Sequence, residues 1–268
     1  MTTKLVCTVG IGNYYQTNYR FGEVSKKTKF APIAVGCCAI GPTEDLELVA
    51  LLTVEAEEEY GEQLEIETEA QGWTYTPVRI PAGRCEEELW QIFDAFGQRL
   101  EQGDGLVLDL THGFRHIPAL LLSATQYYVV RKNLKLFGIF YGAYVNGEKD
   151  TSILDLTALH DLSKWTYGAR LMEDYRLSTP LGEMLDEIQT RSHKDPRYQH
   201  SRFTKLQRVG KSLKDLESPL VSGIPLETGF EARRALENVR SGKEEIERIP
   251  PMKEPWRELE EELERVKL

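Results

Sequence analysis

Leu106-Val107-Leu108-Asp109-Leu110-Thr111-His112-Gly113-Phe114-Arg115-His116-Ile117-Pro118 is the stretch on which the fold turns. A short apolar run closes on Asp109, and polar residues and a glycine follow at once. Helical spacing then begins, with apolar residues at Ile117, Leu120, Leu121 and Ala124. A buried parallel strand that feeds a helix reads this way. In open α/β sheets ligands bind at the carboxyl ends of such strands. The free N–H groups of a helix start also favour phosphate.

Working outward, Lys4–Val9, Leu46–Thr53, Thr74–Ile80, Leu134–Tyr141 and Ile153–Leu156 are further strand candidates, and the apolar run Pro32–Ile40 reads as another. Glu55–Glu69, Glu86–Leu100 and Pro118–Arg131 carry helical spacing. Strands alternating with helices predict an α/β fold: a Rossmann-like, mostly parallel sheet with helices on both faces. Pro77 cannot donate to a ladder, which puts Thr74–Ile80 at an edge or a strand start. Beyond about Thr157 no strand candidate remains. Leu159–Arg176, Leu181–Arg191, Arg202–Leu216, Phe230–Val239 and Trp256–Leu268 all read as helices. The expected division is therefore 1–157, a ligand-binding domain, and 158–268, an all-helical linker, dimerisation or partial effector region.

The 268 residues carry a formal net charge of −10, with 28% charged and 41% hydrophobic residues. Such an acidic chain is a poor general binder of duplex DNA, because phosphate binding rests on Lys and Arg. A locally positive pocket for a small anion is compatible with that balance. No signal-peptide pattern and no apolar run of membrane-span length occurs, so a cytoplasmic protein without membrane contact is expected. Cys7, Cys37, Cys38 and Cys85 form no CxxC pair and are read as reduced structural thiols rather than a metal set.

Four loops follow predicted strands. Gly10-Ile11-Gly12-Asn13-Tyr14 offers close backbone approach and two side chains that hydrogen-bond or stack. Tyr15 stands where a dinucleotide fingerprint needs a third glycine, and a plain tight turn explains the glycines equally well. In the opening stretch Thr111, His112, Gly113 and Phe114 precede Arg115, whose guanidinium is suited to a phosphate fork. Asp109 reads better as a structural cap than as a catalyst. A satisfied core histidine is the alternative for His112, and an ion pair with an acidic neighbour is the alternative for Arg115. Gly83-Arg84 and Tyr141-Gly142 follow two further strands, and each alone is a turn. No Gly-x-Ser-x-Gly elbow, P-loop or zinc-protease motif is present. The visible chemistry is phosphate and base recognition.

At these residues the chain resembles the CRISPR-associated CARF proteins. It is most similar to the subfamily carrying Asp-x-Thr-His-Gly-Phe-Arg-x-x-Pro, here Asp109 to Pro118. Gly10–Tyr14, Ile80–Gly83, Glu88–Trp90 and Phe140–Gly142 agree in order, so the likeness spans roughly the first 160 residues. The resemblance implies a homodimer that binds cyclic oligoadenylate across its two-fold axis, with cyclic tetra-adenylate favoured over hexa-adenylate and no metal or other cofactor. It places Gly10, Ile11, Gly12, Asn13 and Tyr14 on one side of the pocket. Thr111, His112, Gly113, Phe114 and Arg115 take the other, with Gly83, Arg84, Tyr141 and Gly142 near by. Many relatives continue into a HEPN ribonuclease, which requires an Arg followed four to six residues later by His. None of the five histidines has that partner; Arg197 lies only three residues before His200. The implied function is an allosteric sensor of antiviral defence. A metal-independent ring nuclease cleaving the same ligand is the first alternative. A transcription regulator using the basic face Arg202–Lys214 is the second.

Overall fold

The computed structural model describes residues 2–41, 45–145, 149–194 and 202–267. It divides into two units, Met1–His160 and Asp161–Leu268. Among the described residues no helix is long and apolar enough to cross a membrane.

The first unit is built on one eight-stranded sheet. Its strands are β1 (Thr3–Val9), β2 (Thr17–Phe21), β3 (Val24–Thr28), β4 (Leu46–Leu52), β5 (Thr74–Arg79), β6 (Gly105–Asp109), β7 (Lys135–Ala143) and β8 (Asp150–Asp155), in the order β3-β2-β8-β7-β6-β1-β4-β5. The segment β7-β6-β1-β4-β5 is wholly parallel, and only β2–β3 and β7–β8 pair antiparallel. All seven residues of β1 and all five of β6 are buried, as continuous apolar strands covered on both faces require. β5 is an edge, so Pro77 sits where its missing N–H is harmless.

Helices α1 (Ala31–Val35) and α2 (Val54–Glu69) cover one face, and α3 (Glu86–Gln98) and α4 (His116–Arg131) the other. Thr53 caps α2 by accepting from the Ala56 N–H at 3.4 Å, with Glu55 and Glu57 in the first turn. The Rossmann-like expectation is borne out, with one error: Pro32–Ile40 is not a strand. It forms α1 and a π-helical turn, Gly36–Ile40. Short buried apolar runs lack the periodicity that separates strand from helix. Pro32 in the first helical turn was the available signal. The hairpin β2–β3 was also missed, because its outer strand is largely exposed and carries Lys26 and Lys27 in place of apolar alternation.

The second unit contains α6 (Thr179–Lys194), α7 (Leu206–Ser222), α8 (Pro225–Ile246) and α9 (Lys253–Val266), with most of α5 (Thr157–Tyr175) preceding them. Its core includes Trp165, Leu185, Leu206, Leu213, Val239 and Trp256. On the basic face of α7, Lys205 donates to the Ser241 carbonyl at 2.8 Å and Lys214 pairs with Asp186. Arg197 and His200 lie outside the described residues.

Candidate functional site

The parallel order reverses direction about β1: β4 and β5 extend to one side, β6 and β7 to the other. The crevice beyond the carboxyl ends of β1 and β6 is therefore the topological switch point, where open α/β sheets bind ligands. Here the loop 10–16 meets the loop 110–115 through two glycines. A Cβ on Gly10 would lie 3.2 Å from the Gly113 Cα, and one on Gly113 would lie 2.7 Å from the Thr8 hydroxyl oxygen. Gly113 also holds φ +94°, a conformation that side chains resist. The buried Thr8 hydroxyl donates to the His112 carbonyl and ties the end of β1 to the loop 110–115.

A cavity of about 330 Å³ opens beside this junction. Of the residues expected from the sequence, Asn13, Tyr14, Thr111, His112, Tyr141 and Gly142 line it. Gly10, Ile11, Gly12, Gly83, Arg84, Gly113, Phe114 and Arg115 do not. Gly10, Gly12 and Gly113 serve the loop backbones instead. The Gly12 carbonyl accepts from the Tyr60 hydroxyl at 2.6 Å. Gly83, at φ +73°, belongs to a neighbouring loop fastened by His116, whose Nε2 contacts the Ala82 carbonyl at 2.9 Å. Arg84 donates its backbone N–H to Glu88 at 2.8 Å, Arg115 is the exposed N-cap residue of α4, and Ile11 is exposed.

Each lining element has a cause. The Tyr14 hydroxyl both accepts from the Gly10 N–H at 2.9 Å and donates to the Gly10 carbonyl at 3.0 Å, which closes the first loop on itself. Its ring packs against Phe30, Tyr60 and His112, the last at 4.3 Å between centroids. Burial pushes the Tyr14 phenol up to about 12, so it stays protonated. The Thr111 hydroxyl donates to Asp109 Oδ1 and accepts from the Gly142 N–H at 2.7 Å. That network pins the end of β7 to the end of β6. His112 Nε2 accepts from the Ala31 N–H at 3.2 Å, so the ring proton resides on Nδ1. Burial lowers His112 from 6.5 to about 4, and the ring is neutral at pH 7.

Asp109 is fully buried, and its carboxyl is pushed up to about 7 by desolvation, against the opposing hydrogen bonds from Thr111. Its Oδ2 has no hydrogen-bond partner among the described residues. The carboxylate faces inward rather than into the cavity, in keeping with a structural role.

Five lining residues escaped the sequence reading as contacts: Tyr15, Thr17, Tyr19, Lys29 and Tyr144. Tyr15 and Tyr144 adjoin loops already singled out, and an aromatic residue beside a strand-end loop was the usable signal. Thr17 and Tyr19 belong to the missed strand β2. Lys29 precedes Phe30-Ala31-Pro32, a helix start hidden by the strand reading of that run.

No family model matches the chain. The curated CRISPR-associated protein MJ1674 of Methanocaldococcus jannaschii is 30% identical over 147 residues, which covers 51% of this chain and 23% of that protein. The chain thus spans about a quarter of the length of the relative it matches. Among solved structures, Enterococcus italicus Csm6 bound to cyclic hexa-2'-fluoro-hexa-dAMP aligns with a TM-score of 0.47 at 10% identity, over 92% of this chain and 67% of that one. The likeness to a CRISPR-associated protein agrees with the resemblance that the Asp109–Pro118 motif carries.

Proposed function

We propose that the first unit is a sensor domain for cyclic oligoadenylate, that two copies of the chain share one ring, and that the helical second unit receives the signal. The observation that carries this reading is the cavity at the β1/β6 switch point, walled by tyrosines and floored by Thr111 and His112 of the motif. Aromatic rings stack on bases at about 1–3 kcal/mol per base. The cavity's volume of about 330 Å³ lies at the lower end of the roughly 300–1,000 Å³ typical of ligand sites. A ring of several nucleotides overfills it. A ring with two-fold symmetry placed on an isologous dimer resolves the mismatch, each copy holding half. Preference for the four-membered over the six-membered ring rests on the family resemblance.

Binding rather than turnover fits the polar groups. His112 Nε2 already accepts from a backbone N–H, and the Thr111 hydroxyl already donates its proton to Asp109, so neither is free to act as a base. Isothermal titration of the native chain with cyclic tetra- and hexa-adenylate tests the proposal. Saturable heat at one ring per two chains, with sedimentation showing a dimer, is expected; no heat with either ring refutes it. Chromatography of the recovered ligand separates sensing from ring cleavage.

A further inference from the structure

The polar groups of the cavity are unequally available. The Thr111 hydroxyl is engaged on both sides, by Asp109 and Gly142, and the His112 acceptor is taken by Ala31. Among the described lining residues the only charged side chain is Lys29. It makes no ion pair among the described residues; its ammonium rests on the neutral Gln63 side chain at a long 3.3 Å. The backbone on either side is fixed. The Thr28 hydroxyl donates to Glu67 at 2.6 Å and accepts from the Phe30 N–H at 3.0 Å, while Phe30 is fully buried. Lys29 is thus a half-buried cation on an anchored stem, held by one weak neutral contact, at the wall of an aromatic cavity.

We propose that Lys29 is the phosphate-binding residue of this cavity, paired with the tyrosine wall that takes the base. The proposal rests on the nucleotide-binding reading above and names the residue that reading lacked, in place of Arg115. Exchanging the contact to Gln63 for an anionic oxygen replaces a neutral hydrogen bond with a charge-assisted one, about twice as strong. A surface lysine would be screened by water, but a half-buried one beside apolar rings is screened less.

Titration of cyclic tetra-adenylate into Lys29→Ala and Lys29→Gln is expected to show affinity reduced about ten- to a hundred-fold. Lys29→Arg keeps most of it. Lys27→Ala, an exposed charge on the neighbouring strand, leaves it unchanged. Adenosine 5′-monophosphate and adenosine serve as a second probe pair. The native chain prefers the monophosphate, and Lys29→Gln abolishes that preference. Native affinity in both Lys29 variants, an equal loss in Lys27→Ala, or no native discrimination between the two small probes overturns the proposal. Ring binding that survives Lys29 substitution leaves the sensor reading intact. A monophosphate preference that depends on Lys29, without ring binding, leaves Lys29 in place and removes the sensor reading.

Discussion

Replacing Asp109 by asparagine exposes a cancellation built into the site. In the folded chain the Asp109 carboxyl is raised by burial from 3.8 to about 7, and His112 is lowered by burial from 6.5 to about 4. For the acid, the folded state binds more protons than the unfolded state between those values, so stability falls as pH rises through them. For the histidine, the unfolded state binds more, so stability rises with pH between about 4 and 6.5. Integrated from pH 5 to pH 8, Asp109 costs roughly 3 kcal/mol and His112 returns roughly 2 kcal/mol, so the two effects oppose each other. Folding favours the proton on Asp109 and disfavours it on His112. In Asp109→Asn the side-chain amide keeps the Oδ1 acceptor for Thr111 and removes the titration. The stability difference between variant and native should therefore grow by roughly 3 kcal/mol in the variant's favour over that range. All other groups cancel in this difference. Hydrogen exchange of the β1 and β6 amides, corrected for the intrinsic pH dependence of exchange, reads it directly. A difference that does not change with pH refutes the reasoning.

Gly113→Ala should cost the first unit about 1–3 kcal/mol, since the new methyl group meets the Thr8 hydroxyl oxygen at 2.7 Å on a φ of +94°; urea unfolding checks it. Tyr14→Phe removes both hydroxyl contacts to Gly10, so exchange of the Gly10–Gln16 amides should quicken by a factor set by about 1 kcal/mol. The same variant should weaken ring binding in titration. In the second unit Gly182→Ala drives a methyl group to 2.5 Å from the Gly210 carbonyl oxygen, where α6 and α7 touch. Overpacking of about 1–3 kcal/mol should lower protection of α6 and α7 amides and leave those of β6 unchanged.

What could be read directly was local. Continuous apolar strands, glycines after them and segments of helical spacing are patterns of neighbouring residues, and they announce the parallel sheet and its strand-end loops. Pro77 limited its strand to an edge or a strand start for the same reason. Pro32–Ile40 was misread because a run buried on every side shows neither period.

By itself, the sequence determined that a strand ends at Asp109, that a helix begins soon after, and that Thr111 to Arg115 crowd between. Tertiary structure decided which of these residues line the cavity. Gly113 and Arg115 are left outside the cavity lining. The fold brought in Tyr19, from a hairpin that pairs with distant β8, and Lys29, which directly follows that hairpin. Such pairings join residues far apart along the chain. Their hydrogen bonds and buried areas exist only once the sheet has closed, so no local spacing could encode the wall of the pocket.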